Sequence, residues 1–329
     1  MTQVLVGRLI VAGLVASAIS CGSSTNPTAP TAAASTTATT SVTTQQPVYV
    51  VLFTHIEDNT PAGDIGSAIA RTNYAKMRQG VIDMATLARR YNVKWSLQPD
   101  WKFLLGAVAY EDASMTSTTG GKNVLRYLRD SMGVVIDPHS HENGGYNYTD
   151  VAYMLEQLGV GGSTVIGGHI WDPSLPQFQN WDRFRTTQSG ATYPSARWRG
   201  DILMGAGTPN HTNDPIASGV WRPKDRYGYF TDDASGNIVS VGAFKGDIAG
   251  ISELNTLSKA GTIASTCMKT VSIHIVPANL TSVSGLASME STYVAPVAAL
   301  GSQVVSTDFT ALVSTWRAQF NSNGCVYRQ

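Results

Sequence analysis

Two histidines separated by one residue, His139 and His141, are the pair best suited to chemistry in this sequence. Residues at i and i+2 of an extended backbone point to the same side, so both imidazoles can reach one ion. Neutral imidazole together with carboxylate suits zinc or a similar transition metal, and an acidic pair, Glu57 and Asp58, is available elsewhere. The spacing predicts a metal site; an exposed polar loop with two histidines is the alternative.

The elements that would position these residues alternate between strand and helix. Continuous apolar or β-branched runs predict strands, and apolar residues at helical spacing predict helices between them. The predicted strands are 48–54, 93–97, 134–136, 163–170, 271–276 and 303–306, and helices are predicted near 77–91, 124–128, 151–158 and 308–320. The stretch 181–244 has no clear periodicity and is interpreted as long loops.

Repeated strand–helix order implies a parallel sheet covered by helices. The predicted fold class is α/β, with a (β/α) barrel that is distorted or seven-stranded and has long loops on one face. An open, doubly wound sheet is the alternative. It is less favoured because no glycine-rich phosphate loop follows the first strand.

The polar residues fall at the carboxyl ends of the predicted strands, where a barrel carries its active site. Strand 48–54 runs into Glu57 and Asp58, strand 134–136 into His139 and His141, and strand 163–170 into His169 and Trp171. The late strand contains His274.

Three segments resemble the motifs of the polysaccharide deacetylases of the NodB-like type, which have a glycoside hydrolase/deacetylase barrel. His55-Ile56-Glu57-Asp58-Asn59-Thr60-Pro61 occupies the place of the family's Thr-Phe-Asp-Asp-Gly-Pro motif. His139-Ser140-His141-Glu142-Asn143 occupies the place of its His-Ser/Thr-Xaa-Xaa-His motif, and Ser272-Ile273-His274 resembles its late histidine-bearing strand. The resemblance covers most of residues 47–320 in order.

The resemblance implies a metal-dependent hydrolase that removes N- or O-linked acetyl groups from a carbohydrate. It implies Asp58, His139 and His141 as metal ligands, with zinc as the metal. Glu57 stands where the family has its catalytic aspartate, and is expected to take a proton from water. His274 is expected to protonate the leaving group.

Two positions of the resemblance leave alternatives open. The second histidine of the family's motif falls on Asn143, so the third ligand is either His141 or Asn143; imidazole is the stronger ligand for zinc. The family's arginine motif corresponds to Arg199 or to Arg222, and chain order favours Arg199 as the catalytic arginine. His169, Trp171 and Arg222 are then candidate contacts to an acetylated polysaccharide or oligosaccharide.

Two other functions fit the same residues. A carbohydrate-binding lipoprotein without activity would explain the departures from the family's motifs. A glycosidase on a related barrel would use paired carboxylates such as Glu57 and Asp172. Metal dependence and acetate release distinguish the three.

The N-terminus has the features of an export signal. Arg8 precedes a short apolar run that ends at Cys21, so residues 1–20 are interpreted as a lipoprotein signal peptide with lipid on Cys21; an ordinary secretory signal is the alternative. Residues 21–46 are rich in Ser, Thr, Pro and Ala and are predicted to form a disordered tether, and 47–329 to form the barrel domain. The protein is therefore expected at the cell envelope or secreted, with no membrane contact beyond the anchor.

The composition argues against a nucleic-acid-binding protein and suggests one disulfide. The 23 basic and 23 acidic residues give a net charge of zero, which argues against a nucleic-acid partner. Of the three cysteines, Cys267 and Cys325 remain after Cys21 is assigned. Two leftover cysteines in an exported protein are expected to form a disulfide.

Overall fold

The computed structural model describes residues 45–168, 176–204 and 216–329, and for residues 176–179 it describes the backbone only. The predicted signal peptide, Cys21 and the predicted tether up to residue 44 lie outside the described residues. His169, Trp171 and Asp172 also lie outside them, so their roles stay predictions. None of the helices in the described ranges combines the length and apolar character needed to cross a bilayer.

The first strand is the longest of the described strands. β1 (Val48–Ile56) has nine residues and is buried at every position, as its continuous apolar run predicts. The other strands are β2 (Trp95–Pro99), β3 (Val135–Ile136), β4 (Val165–Ile166), β5 (Gln188–Ser189), β6 (Arg197–Trp198), β7 (Ile202–Met204), β8 (Ala217–Trp221), β9 (Val239–Val241), β10 (Lys269–His274), β11 (Val304–Thr307) and β12 (Cys325–Arg328).

The longest described helix, α1 (Ala68–Arg90), follows β1. The Ser67 hydroxyl caps it by accepting the N–H of Ala70, and its buried face includes Tyr74, Val81 and Met84. The other α-helices are α2 (Trp101–Tyr110), α3 (Ala113–Thr116), α4 (Val124–Met132), α5 (Tyr148–Gln157), α6 (Ile248–Lys259), α7 (Pro277–Leu280), α8 (Val283–Met289), α9 (Ala295–Ala299) and α10 (Phe309–Gln319). Shorter turns of 3-10 helix lie at Ser117–Thr119, Pro176–Arg185 and Gly301–Gln303, and a π-helical turn lies at Glu290–Val294.

Two five-stranded sheets contain most of the strands. The first has the order β10-β1-β2-β3, all parallel, with β11 also pairing in parallel with β1. The second has the order β12-β8-β9-β7-β4. Strands β4, β7 and β9 are parallel to one another, and β8 is antiparallel to both of its neighbours, β9 and β12. The predicted α/β class with a parallel sheet is confirmed.

Several contacts join the two sheets, among them hydrogen bonds from Ser218 and Gly219 of β8 to Thr270 of β10. An isolated parallel bridge connects His139, after β3, with Gly167, after β4. The N–H of Ser272 in β10 donates to the carbonyl of Ala243, after β9, at 3.2 Å. Strand pairing is not continuous around a ring in the described ranges, so the closed barrel stays a prediction.

Alternate residues of β1 enter two different cores. Val50 and Leu52 belong to the core that contains the buried faces of α1 and α2. Val51 and Phe53 pack with residues of the second sheet and of α10. Because both faces of β1 are apolar, the strand is fixed between these layers, and the polar residues that follow it emerge at one edge.

Two expectations about local structure differ from the structure in extent. The stretch 181–244, interpreted as long loops, also contains the five strands β5 to β9 in its described part. The strand predicted at 163–170 is present as Val165–Ile166, and Gly168 then turns the chain with a φ of +75°; residues 169 and 170 lie outside the described residues.

The disulfide predicted between Cys267 and Cys325 is confirmed. Cys267 precedes β10 of the first sheet, and Cys325 is the first residue of β12 in the second. The bond therefore ties the two sheets together near their shared boundary.

Candidate metal centre

Two neighbouring chain segments place the main predicted site residues side by side. β1 leads into Glu57 and Asp58, and β3 is followed by His139 and His141. Because β1, β2 and β3 are adjacent and parallel, their carboxyl ends lie at the same edge of the sheet.

The carboxylate of Glu57 contacts both histidines of the predicted pair. Its Oε2 atom lies 3.1 Å from Nε2 of His139 and 3.2 Å from Nε2 of His141. The Nδ1 atom of His141 lies 3.6 Å from Oδ1 of Asp58. His139 is buried, whereas the side chain of His141 is 46% exposed, so the cluster reaches from the interior to the surface. The four residues form one cluster, and their separate roles stay predictions.

A hydrogen bond on the far side of the His139 ring determines which nitrogen faces Glu57. The Nδ1 atom lies 2.9 Å from the carbonyl oxygen of Gly167, which also accepts the hydroxyl of Tyr148. A carbonyl oxygen only accepts, so Nδ1 carries a proton, and in the neutral ring Nε2 presents its lone pair to Glu57. Lone pair and carboxylate oxygen then face each other, and a cation, or a second proton on the ring, makes that contact favourable.

His55, which has no predicted role, lies beside the cluster. It belongs to β1 and is only 4% exposed. Its ring stacks on that of His139, with centroids 4.1 Å apart and an angle of 11° between the planes. Its Nε2 atom is buried and has no hydrogen-bond partner within the described part of the chain. The sequence could have indicated His55, because it stands two positions before Glu57 near the carboxyl end of a predicted strand.

Burial and neighbouring charges set the protonation states. Burial lowers the pKa of His55 well below its usual value, and the nearby imidazoles, His139 first, lower it further. Burial by itself raises the pKa of Glu57, but the hydrogen bond from His139 and the charge of the histidines lower it to about 2. Burial lowers the pKa of His139, but the hydrogen bond with Glu57 and the charge of that carboxylate outweigh burial and raise it. An ionised Glu57 therefore contacts a His139 that takes up a second proton readily, beside a buried His55 that stays neutral.

Asp100, directly after β2, is a second residue with no predicted role. Its Oδ1 atom accepts the N–H of Trp101 at the start of α2, and its Oδ2 atom accepts the backbone N–H of His141 at 3.1 Å. Burial raises its pKa, against the opposing influence of His139 and of these N–H groups. Asp100 thereby fixes the segment that carries His141. It too stands at a strand end, where the sequence could have indicated it.

Among the residues that the structure describes, two groups of side chains have possible ligand atoms within 4.8 Å of one another. The first is His55, Glu57 and His139, and the second is Asp100, His139 and His141. Of the predicted ligands, His139 is in both groups and His141 in one. Asp58 is in neither, although it contacts His141.

Asn143, the alternative third ligand, is engaged with other side chains. Its amide nitrogen donates to Oδ2 of Asp58, and its Oδ1 atom accepts Nε1–H of Trp101 at 3.0 Å. Oxygen is the amide atom that would bind a metal, so this arrangement favours His141 over Asn143.

His274, the predicted acid, lies next to the cluster at the end of β10. Its ring centroid is 5.1 Å from that of His55 and 5.2 Å from that of Phe53. The structure thus brings His274 close to the cluster, and its role as an acid stays a prediction.

The two predicted arginines have partners elsewhere. Arg199 lies 3.9 Å from Asp201. Arg222 donates to both carboxylate oxygens of Asp232, at 3.1 and 2.7 Å, and its guanidinium lies over the ring of Trp316. In the described ranges neither arginine contacts the histidines or Glu57, and their catalytic and substrate roles stay predictions.

The residues present fit a divalent transition metal. Imidazole nitrogens and a carboxylate oxygen are the ligand types that such ions take in proteins. The Nε2 atom of buried His55 has no hydrogen-bond partner among the described residues, which leaves a nitrogen beside Glu57 and His139 that an ion could satisfy.

Comparisons with known proteins give only distant similarities. No protein-family model matches the chain, and no curated protein sequence matches it. It is similar to the crystal structure of PuuE allantoinase at a TM-score of 0.47 and 10% identity, over 83% of this chain and 91% of that one. It is also similar to the crystal structure of 4-alpha-glucanotransferase from Thermococcus litoralis, at a TM-score of 0.41 and 8% identity, over 82% of this chain and 40% of that one. Similarity at this level carries no argument about activity, which has to be argued from the site.

Proposed function

We propose that this protein is a metal-dependent hydrolase that removes acetyl groups, N- or O-linked, from a carbohydrate. The observation that carries the proposal is the contact of Glu57 Oε2 with Nε2 of His139 and of His141, at 3.1 and 3.2 Å. A carboxylate oxygen close to two imidazole nitrogens at a strand end is the set of donors expected of residues that hold a cation.

His139 and the residues around it would hold the metal, and zinc suits this donor set best. A divalent cation there supplies a Lewis acid that polarises a carbonyl group and makes water more acidic. One of the carboxylates Glu57 and Asp58 helps to hold the ion and the other accepts a proton from water. The sequence resemblance gives the second task to Glu57.

The remaining groups would complete the hydrolysis. The water oxygen bonds to the acetyl carbon while its proton passes to the carboxylate. The bond from that carbon to the sugar nitrogen or oxygen then breaks, and a ring nitrogen of His274 donates a proton to the departing atom. Acetate and the free amine or hydroxyl of the sugar are the products.

Aromatic side chains near the cluster support a carbohydrate substrate. Trp101 donates to Asn143, which in turn donates to Asp58. The rings of Trp101 and Tyr146 stack at 5.0 Å, and both residues are half-buried. Partly exposed aromatic rings with a polar edge offer the mixed apolar and hydrogen-bonding surface that sugars require.

The wider expectations from the sequence are part of the proposal. We propose a (β/α) barrel, distorted or seven-stranded, in which the two sheets close through the links at His139–Gly167 and Ser272–Ala243. We also propose export to the cell envelope, with a lipid anchor on Cys21 or secretion, and an acetylated polysaccharide or oligosaccharide as the partner.

Metal analysis combined with an acetate-release screen tests the proposed function. We expect about one divalent ion per chain, release of acetate from acetylated glycans, loss of release after chelation and recovery when zinc is added back. Glu57→Gln should reduce turnover by roughly a hundredfold or more. Glu156→Gln, at an exposed position of α5, is the control and should leave turnover unchanged. Full turnover after complete removal of the metal, or in Glu57→Gln, would contradict the proposal.

A further inference from the structure

We infer that the metal ion is held by His55, Glu57 and His139, and that Asp58 accepts the proton from water. The inference rests on the proposed function for the presence of a metal. It exchanges the roles that the sequence resemblance gives to Glu57 and Asp58, and it replaces His141 by His55 as a ligand.

The geometry of the three residues supports an inner site. Their possible ligand atoms all lie within 4.8 Å of one another. His55 and Glu57 stand at i and i+2 at the extended end of β1, so their side chains leave the backbone on the same side. His139 comes from the segment after β3 and stacks on His55 at 4.1 Å.

The burial of His55 calls for a ligand. The residue is 4% exposed, and its Nε2 atom has no hydrogen-bond partner within the described part of the chain. Gln98 is a hydrogen-bond partner of the ring, so the unsatisfied group is Nε2, and a buried nitrogen without a partner carries a desolvation cost. An ion held by the same ring gives that buried histidine a partner.

Gly168 fixes both imidazoles from one side. A Cβ atom at this position would lie 2.6 Å from Nδ1 and Cε1 of His139 and 2.9 Å from Cε1 of His55. The backbone of Gly168 therefore packs directly against the two rings. A wall of this kind holds the rings in place, as preformed metal sites require.

The residues outside this group are placed differently. Asp58 contacts His141 at 3.6 Å and accepts the amide of Asn143, and no contact of its carboxylate with His139 occurs in the described ranges. His141 is 46% exposed and reaches both carboxylates from the solvent side. The side chain of Asp58 is 22% exposed and its contacts within the described part of the chain are with His141 and Asn143, so water has access to it outside the group of three.

The inferred ligands define the class of metal. Two imidazoles and one carboxylate favour zinc and neighbouring transition metals over magnesium or calcium, which prefer oxygen ligands. The purified protein should therefore bind Zn²⁺ and Co²⁺ but not Mg²⁺ when each is titrated alone.

Calorimetric titration of Zn²⁺ into metal-free protein, with no substrate present, tests the ligand set. The variants are His55→Gln, Glu57→Gln, His141→Gln and Asp58→Asn, each checked for folding by circular dichroism. His55→Gln and Glu57→Gln should weaken Zn²⁺ binding by about a hundredfold or more, since even groups that only orient a ligand contribute about 10- to 100-fold. His141→Gln and Asp58→Asn should bind Zn²⁺ nearly as wild type does.

Unchanged Zn²⁺ affinity in His55→Gln overturns the inference, and so does loss of the ion in Asp58→Asn or His141→Gln. If His55→Gln does not fold, the other three variants test the inference. It then requires that Glu57→Gln weakens Zn²⁺ binding and that Asp58→Asn and His141→Gln do not. A protein that binds Zn²⁺ through His55 but releases no acetate would refute the proposed function alone. Chelation-sensitive acetate release with an intact ion in His55→Gln would refute this inference alone.

Discussion

At the residue scale, Gly168 is a position beside the cluster where any residue with a Cβ atom would disturb the structure. Its φ of +75° is a conformation that residues with a Cβ atom rarely adopt. A Cβ atom there would also lie 2.6 Å from the ring of His139, which is too close for an ordinary contact. Conformation and contact therefore both require glycine.

Gly168→Ala should displace the rings of His139 and His55, lower Zn²⁺ affinity and reduce the free energy of unfolding by roughly 2–4 kcal/mol. Gly261→Ala is a matched control, since Gly261 has the same φ of +75° but nothing within 4 Å of the added atom. The control should lose only about 1 kcal/mol and keep its Zn²⁺ affinity. Zn²⁺ titration and urea unfolding of both variants provide the test; equal Zn²⁺ affinity in the two would contradict it.

At the scale of elements, the start of α5 is fixed by a single buried carboxylate. Asp150 forms a capping box with Asn147 at the helix N-terminus. The same carboxylate also accepts the backbone N–H groups of Ala191, Thr192 and Tyr193. One side chain thus joins the helix to the loop ahead of β6, close to the segment that carries the predicted ligand His141.

Asp150→Asn should lower the free energy of unfolding by about 2–4 kcal/mol, because an amide nitrogen would face N–H donors that need an acceptor. Glu156→Gln changes the same charge on the exposed side of the same helix and should stay within about 0.5 kcal/mol of wild type. Urea unfolding monitored by fluorescence measures both. A loss in Asp150→Asn no larger than that of the control would show that the loop is held by other contacts.

At the scale of the whole molecule, the Cys267–Cys325 disulfide connects the two sheets and spans 58 positions. In the chain-entropy model a cross-link of this length stabilises the folded state by about 4 kcal/mol. β12, which begins at Cys325, also adds an antiparallel edge to the second sheet through its pairing with β8.

The double variant Cys267→Ser with Cys325→Ser should therefore unfold at a lower urea concentration, with a loss of about 3–4 kcal/mol. Wild type in a reducing agent should show a similar loss, whereas the variant should be insensitive to the reducing agent. Zn²⁺ affinity should be unchanged, because the disulfide shares no residue with the cluster. Equal free energies of unfolding in the variant and the wild type would show that the disulfide contributes little to stability.

The sequence by itself determined those features that depend on local pattern. The continuous apolar run from residue 48 specified a buried strand, because only a central parallel strand buries both faces. The i, i+2 spacing of His139 and His141 was enough to direct both imidazoles at one carboxylate. The two remaining cysteines were enough to predict their disulfide.

Only the tertiary structure decided which of the remaining side chains join the cluster. The stacking of His55 on His139 and the bond from Asp100 to His141 depend on how separate strands lie beside one another, which no local pattern records. Four of the five strands in the described part of 181–244 have only two or three residues, which are too few to show periodicity. The substrate role of Arg222 stays a prediction, and its pairing with Asp232 could not be foreseen, because residues ten positions apart meet across a loop that has no periodic signature.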